Sequence, residues 1–156
     1  MRDSVAVICK KLNGDFLFHQ RGDLRTWGLP GGRIEVDESY EAAATRETLE
    51  ETDVVCTIVD LVAIVRRPQM PNGGYRLFLY SANFQEARSF STFETAAIQW
   101  GKFDELCGLK SPFLKALLSI EQQFTGTTIE TELKVAGWKA LLGRAAFKVR
   151  DLLSWI

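Results

Sequence analysis

The sequence predicts an α/β domain, and three observations carry that prediction. β-Branched and apolar runs at residues 4–9, 54–67 and 75–84 read as strands. Residues 39–52 carry a helical pattern with a small-residue face at Ala42, Ala43 and Ala44, and residues 113–124 carry a second. The chain has 156 residues, 46% of them hydrophobic and 25% charged. That is the composition of a globular chain, long enough to bury roughly 70% of its unfolded surface. Helices and strands alternating around one mixed sheet give a layered α/β arrangement, with no internal repeat or linker.

The elements follow in order. The first strand reaches Asn13-Gly14, a strong hairpin turn, and returns as a second strand over 15–20. Residues 21–32 hold Gly22, Gly28, Pro30, Gly31 and Gly32, so they form a loop that feeds the helix at 39–52. Glu38, just ahead of Ser39, sets negative charge at the positive end of that helix. Pro68, Pro71 and Asn72-Gly73-Gly74 separate the strands at 54–67 and 75–84, and a short strand follows near 98–103. Ser111 is a suitable cap and Pro112 a suitable first residue for the helix at 113–124, which Gly126 ends.

Beyond Gly126, Trp138, Leu141, Leu142, Ala145, Val149, Leu152, Leu153 and Ile156 recur at helical spacing beside Lys134, Lys139, Lys148 and Arg150. This basic amphipathic stripe suits packing on the domain or a homodimer contact better than a lipid surface, because Gly137 and Gly143 weaken an isolated helix. Residues 1–156 are expected to form one domain, with a core over 4–118 and a helical tail over 119–156.

Charge and composition then exclude several classes of function. Nineteen basic and 20 acidic side chains leave a net charge of -1, without the positive field a nucleic-acid binder uses, so no nucleic-acid partner is expected. No apolar run approaches the roughly 18 residues of a membrane span or forms a signal-peptide core, which leads to a soluble, cytoplasmic expectation. Cys9, Cys56 and Cys107 are odd in number and include no Cys-x-x-Cys pair, which fits a reducing compartment. With His19 the only histidine, any metal should be a hard cation held by oxygen. His19 itself, at a strand end, reads as structural.

The informative stretch is residues 31–54, where eight acids meet only Arg33 and Arg46. Glu47, Glu50 and Glu51 fall at i, i+3 and i+4, so a helix stacks them on one face with about 5–6 Å between β-carbons. Two such charges repel by about 3 kcal/mol at an effective dielectric near 20 and far less in open water. On their own they fit either a solvated helix face or a cation site. The neighbours favour the cation: Glu38 precedes the helix, Arg46 can lock the Glu47 carboxylate with a bidentate bond, and Gly31-Gly32 lets the backbone approach an ion closely.

These positions resemble the Nudix box. Gly32, Glu38, Arg46, Glu47, Leu49, Glu50, Glu51 and Val54 match its pattern, while Thr48 stands at a more hydrophobic position and Asp53 replaces the glycine that closes the helix. Asp tolerates the left-handed conformation better than most residues. Trp27-Gly28-Leu29-Pro30-Gly31 and the later strands extend the likeness over residues 4–118. The resemblance implies an α/β/α sandwich that hydrolyses a nucleoside diphosphate linked to another moiety, with Mg2+ or Mn2+ as cofactor. It implies Glu47, Glu50, Glu51 and the Gly31 carbonyl as metal ligands, Arg46 as the residue that orients Glu47, and Glu38 as support for the site, electrostatically or through bound water. Glu51 is the first candidate for the general base and Glu94, six residues before Trp100, the second.

Substrate phosphates need donors outside the acidic helix, and Arg21, Arg25, Arg66, Arg67 and Arg76 flank it in sequence. Trp27, Tyr75 and Tyr80 offer faces for a base, Trp27 the best placed because its loop abuts the glycines. The competing class is a Nudix-like module that binds a nucleotide or sugar nucleotide without turning it over. Such a module would be expected to lose a ligand carboxylate, and every charged box position is kept.

Overall fold

The computed structural model describes residues 2–22, 25–68, 74–88, 95–102 and 112–134. Glu94, Pro71, Cys107 and the basic stripe expected at 138–156 lie outside them. In chain order the elements are β1 (Arg2–Lys10), β2 (Phe16–Arg21), β3 (Trp27–Gly28), α1 (Tyr40–Thr52), β4 (Val54–Arg67), β5 (Tyr75–Ala87), β6 (Thr95–Gly101), α2 (Pro112–Gln122) and β7 (Ile129–Glu132). The strands form one mixed sheet in the order β3-β2-β1-β5-β4-β7, with β6 on the other edge of β2.

β1 runs parallel to β5 along its whole length, from Arg2↔Tyr75 to Lys10↔Asn83. Its other edge is divided. β2 pairs with it only at Lys10↔Phe16 and then leaves to pair with β3 at His19↔Gly28 and Gln20↔Trp27. The vacated edge of β1 is taken by the glycine loop: Val5 donates to the Gly32 carbonyl and Val7 to the Pro30 carbonyl, both at 2.9 Å. The sheet thus opens like a fork, and residues 30–32 lie in the gap.

Alternation along the strands builds a core on each face. Val5, Val7, Cys9, Leu17, Phe78, Tyr80 and Ala82 pack with Ala43 and Ala44 of α1. Ala6, Ile8, Phe18, Leu77 and Leu79 pack with Leu114, Leu117 and Leu118 of α2. The result is the α/β/α layering the sequence implies. Cys9 and Cys56 are free thiols buried in the α1-side core.

Two expectations need correction. The tail was expected to be helical from residue 119, but α2 stops at Gln122 and Ile129–Glu132 form a strand parallel to β4, with Ala63↔Ile129 in register. The alternating Ile-Glu-Thr-Glu can satisfy its backbone on the open β4 edge while its acids face water. Trp27-Gly28, read as loop, is a short strand because the fork leaves the far half of β2 in need of a partner. Among the described residues, no helix is long and apolar enough to cross a membrane.

Candidate active site

α1 is fixed at both ends. Ser39 is its N-cap, accepting the Ala42 amide at 3.1 Å. Asp53 closes it in the left-handed conformation, φ 53° and ψ 23°, its amide bonded to the Leu49 carbonyl at 2.8 Å. Thr48 is fully buried, and its hydroxyl donates to the Ala44 carbonyl at 2.8 Å, so the polar atom is neutralised inside the helix and the methyl serves the core.

Arg46 organises the exposed side. Its Nε and Nη2 donate to the two oxygens of Glu38 at 2.8 and 2.9 Å, Nη2 also donates to the Arg33 carbonyl at 3.0 Å, and Nη1 reaches Glu47 at 3.1 Å and Glu50 at 3.0 Å. All five N–H donors of the guanidinium have an acceptor. The bidentate partner is therefore Glu38 and not Glu47, as the sequence suggested, because the loop turns back at 35–38: Glu35 donates its amide to Glu38 Oε2 at 3.0 Å. The Arg46 hydrogen bonds, and then the Glu35 amide, hold the Glu38 carboxyl down at about 2. Arg46 is in turn pushed above its ordinary value by Glu38. Glu38 thus acts by tying the loop to α1 through Arg46.

Glu51 points the other way, into the fork. Its side chain is only 9% exposed, and Oε2 accepts the Gly31 amide at 2.8 Å. His19 Nε2 lies 3.5 Å from the same oxygen, and His19 Nδ1 is 3.1 Å from the Thr95 hydroxyl. Burial first, then the positive Arg21 nearby, lowers the imidazole to about 4 against the pull of the Leu29 carbonyl, so the ring is neutral at pH 7.

The two glycines are close-approach positions. A Cβ on Gly31 would sit on the Val5 carbonyl oxygen and 2.7 Å from Ala6 Cα. One on Gly32 would run into the Glu47 carboxylate, 2.5 Å from Oε2.

A hard divalent cation suits this donor set. Glu47, Glu50 and Glu51 supply only oxygen, and the bare backbone at Gly32 lies against Glu47. Among the described residues no three His, Cys, Asp or Glu side chains are spaced as a formed metal site. The reason is visible: Glu47 and Glu50 turn to Arg46 while Glu51 turns to the Gly31 amide, rather than its carbonyl.

The arginines divide. Arg21 lies near enough to His19 to shift it, and Arg25, exposed at φ 52°, donates its amide to the Arg21 carbonyl at 3.0 Å. Both flank Trp27, which is partly buried against the α2-side core. Arg66 is paired with Glu130 at 3.1 Å, Arg76 with Asp3 at 2.6 Å, and Arg67 packs over the Phe113 ring and donates to the Tyr75 hydroxyl at 2.8 Å. Strand register carries these three to other partners. Tyr80 is 2% exposed and donates to Glu41, which makes it core. An open cavity of about 480 Å³ beside the loop is lined by Arg2, Asp3, Arg33, Ile34, Glu38 and Tyr40. Sequence reasoning missed the contacts of His19 with Glu51 and with Thr95, since no periodicity links three residues so far apart in the chain.

The fold and site define an α/β/α sandwich built around a glycine turn and an acidic helix. The chain belongs to the NUDIX domain family, whose profile matches residues 1–121. It is 35% identical over 94 residues to a Bacillus subtilis (strain 168) protein provisionally named 8-oxo-dGTP diphosphatase, a match covering 60% of this chain and 62% of that protein. The chain therefore spans just under two thirds of this curated relative. Among solved structures it resembles a NUDIX hydrolase from Nitrosomonas europaea, with TM-score 0.72 and 21% identity over 86% of this chain and 79% of that one. It also resembles the NUDIX domain of Shewanella oneidensis NrtR complexed with ADP ribose, with TM-score 0.68 and 23% identity over 79% and 87%.

Proposed function

We propose that the chain is a magnesium- or manganese-dependent hydrolase of the diphosphate bond in a nucleoside diphosphate linked to another moiety. The substrate class covers ADP-ribose, nucleotide sugars and (d)NTP-like compounds, in line with the names its relatives carry. The observation that carries the reading is the acidic set on α1, retained whole and braced by rigid elements: Arg46 joins Glu38, Glu47 and Glu50, while Glu51 is fixed on the Gly31 amide. A binding-only module has no need to keep three like charges on one helix face.

Glu47, Glu50, Glu51 and the Gly31 carbonyl would hold the cation, which when bound neutralises phosphate charge and makes water more acidic. Arg21 and Arg25 are assigned to the phosphates and Trp27 to the base, because they belong to the β2–β3 turn, where Gly28 pairs with His19 and Arg21 lies near its ring. Water attacks one phosphorus, the bond to the bridging oxygen breaks, and a carboxylate takes the water's proton. Glu51, buried and bonded to the Gly31 amide, is the first candidate for that base and Glu94 the second.

A panel of ADP-ribose, nucleotide sugars, dinucleoside polyphosphates and 8-oxo-dGTP, each incubated with magnesium or manganese, tests the reading through release of phosphate or monophosphate. Turnover of at least one compound is expected, and Glu50→Gln with Glu51→Gln should abolish it while the fold persists. Parental turnover in the double variant overturns the ligand assignment. Binding of a nucleotide without turnover favours the module.

A further inference from the structure

We propose that His19 is a positioning residue that aims the Glu51 carboxylate, with the Thr95 hydroxyl fixing the tautomer in which it does so. The inference rests on the metal-dependent reading above, since it assigns Glu51 a cation to face.

The position of His19 makes a merely space-filling role costly. On β2 the preceding Leu17 belongs to the α1-side core, and alternation sends His19 to the same face, where an aliphatic residue would pack without a polar atom to satisfy. Instead the ring is buried among three polar groups: Thr95 Oγ1 at 3.1 Å from Nδ1, Glu51 Oε2 at 3.5 Å from Nε2, and the Leu29 carbonyl, which also accepts from the ring. An ionised carboxylate only accepts, so the contact is attractive when Nε2 carries the proton. Nδ1 is then bare, and the Thr95 hydroxyl, which can turn either way, donates to it. Thr95 O–H to Nδ1, then Nε2–H to Glu51, is one directional line from the start of β6 through β2 to α1. It ends on Oε2, the oxygen that also accepts the Gly31 amide at 2.8 Å. The Gly31 hydrogen bond and the longer His19 approach come to one oxygen from different elements, and together they bias the plane of the carboxylate and so the direction in which its other oxygen points. A ligating carboxylate held by outer hydrogen bonds is a preorganised ligand, and removing such a partner weakens metal binding by about 10- to 100-fold.

The test is calorimetric titration of the whole chain with Mn2+ in the absence of nucleotide, alongside metal-free melting in chelator. His19→Leu should bind Mn2+ about 10- to 100-fold more weakly than the parent. His19→Gln, whose amide N–H reaches towards Glu51, should recover most of that loss. Thr95→Val, which keeps the shape and deletes the donor, should fall between. Should His19→Leu fail to fold, Thr95→Val decides alone. Parental Mn2+ affinity in His19→Leu, or in Thr95→Val, overturns the role of His19 even where melting temperatures fall, since a purely structural residue changes stability and not the affinity of the folded protein. If the parent itself takes up no Mn2+, the metal reading fails and this inference with it; if the parent binds Mn2+ but hydrolyses nothing, the catalytic reading fails and the His19 comparison still stands.

Discussion

Two adjacent glycines should fail in different ways when given the same methyl group. At Gly31 the new Cβ of alanine meets backbone, the Val5 carbonyl and Ala6 Cα at 2.7 Å, and backbone cannot rotate aside. The loop must lift from β1 by about 1 Å to reach van der Waals distance. That lift strains the Val5-to-Gly32 and Val7-to-Pro30 hydrogen bonds, both 2.9 Å, together with the Gly31-to-Glu51 bond. Overpacking costs about 1–3 kcal/mol and each lost hydrogen bond about 1, so Gly31→Ala should lose roughly 4–6 kcal/mol when all three bonds break. At Gly32 the methyl meets the far end of the Glu47 side chain, which can rotate away from Arg46 at little cost to the fold. Gly32→Ala should therefore stay within about 1 kcal/mol of the parent and lose Mn2+ affinity and turnover instead. Urea unfolding followed by tryptophan fluorescence measures the first effect, and calorimetry with the substrate panel the second. Equal midpoints for the two variants, or a stable Gly31→Ala, would show that the glycine turn is not pressed against β1 as described.

Asp53→Gly should raise stability by roughly 0.5–1 kcal/mol, because Asp53 holds φ 53° at the helix end and glycine adopts that region without a Cβ penalty; chemical denaturation reads it, and a destabilised variant refutes it. The Asp3 carboxyl is lowered below its unperturbed 3.8 first by Arg76 and also by the Tyr40 hydroxyl. Its stabilisation is then complete above about pH 4 and lost as pH falls through the lower folded value. Asp3→Asn should thus cost under about 1 kcal/mol at pH 7, discounted for the exposed arginine, with the two stability curves converging as pH falls through the lowered folded value; parallel curves contradict the pairing. Arg46→Lys keeps the charge but not the five-donor fork, so it should lower turnover by more than tenfold while far-UV circular dichroism stays parental; full activity would remove Arg46 from the organising role.

What could be read from the sequence was local, and what could not was set by distance along the chain. α1 was legible because its signals sit within a few residues of one another: the Ser39 cap, the alanine face at 43 and 44, and an aspartate where a left-handed residue is needed. Even the departure at Thr48 has a local resolution, since its hydroxyl is satisfied by the carbonyl four residues back and only a methyl-sized surface reaches the core. The strands at 54–67 and 75 onward were legible for the same reason, through β-branched runs bounded by turn residues. β7 was not, because four alternating residues become a strand only where β4 offers an open edge. Nor was the choice of Glu38 over Glu47 as the bidentate partner of Arg46. It depends on how the 33–38 loop doubles back, and a one-residue neighbour on a helix faces a different direction from the arginine beside it. The same logic separates the arginines. Arg66 and Arg76 are opposed across β4 and β5, yet each is taken by an acid from a third strand, Glu130 on β7 and Asp3 on β1. Arg21 stays beside the fork because β2 ends there. The position of a cation relative to the acidic helix is thus decided by strand register, which composition and spacing do not encode.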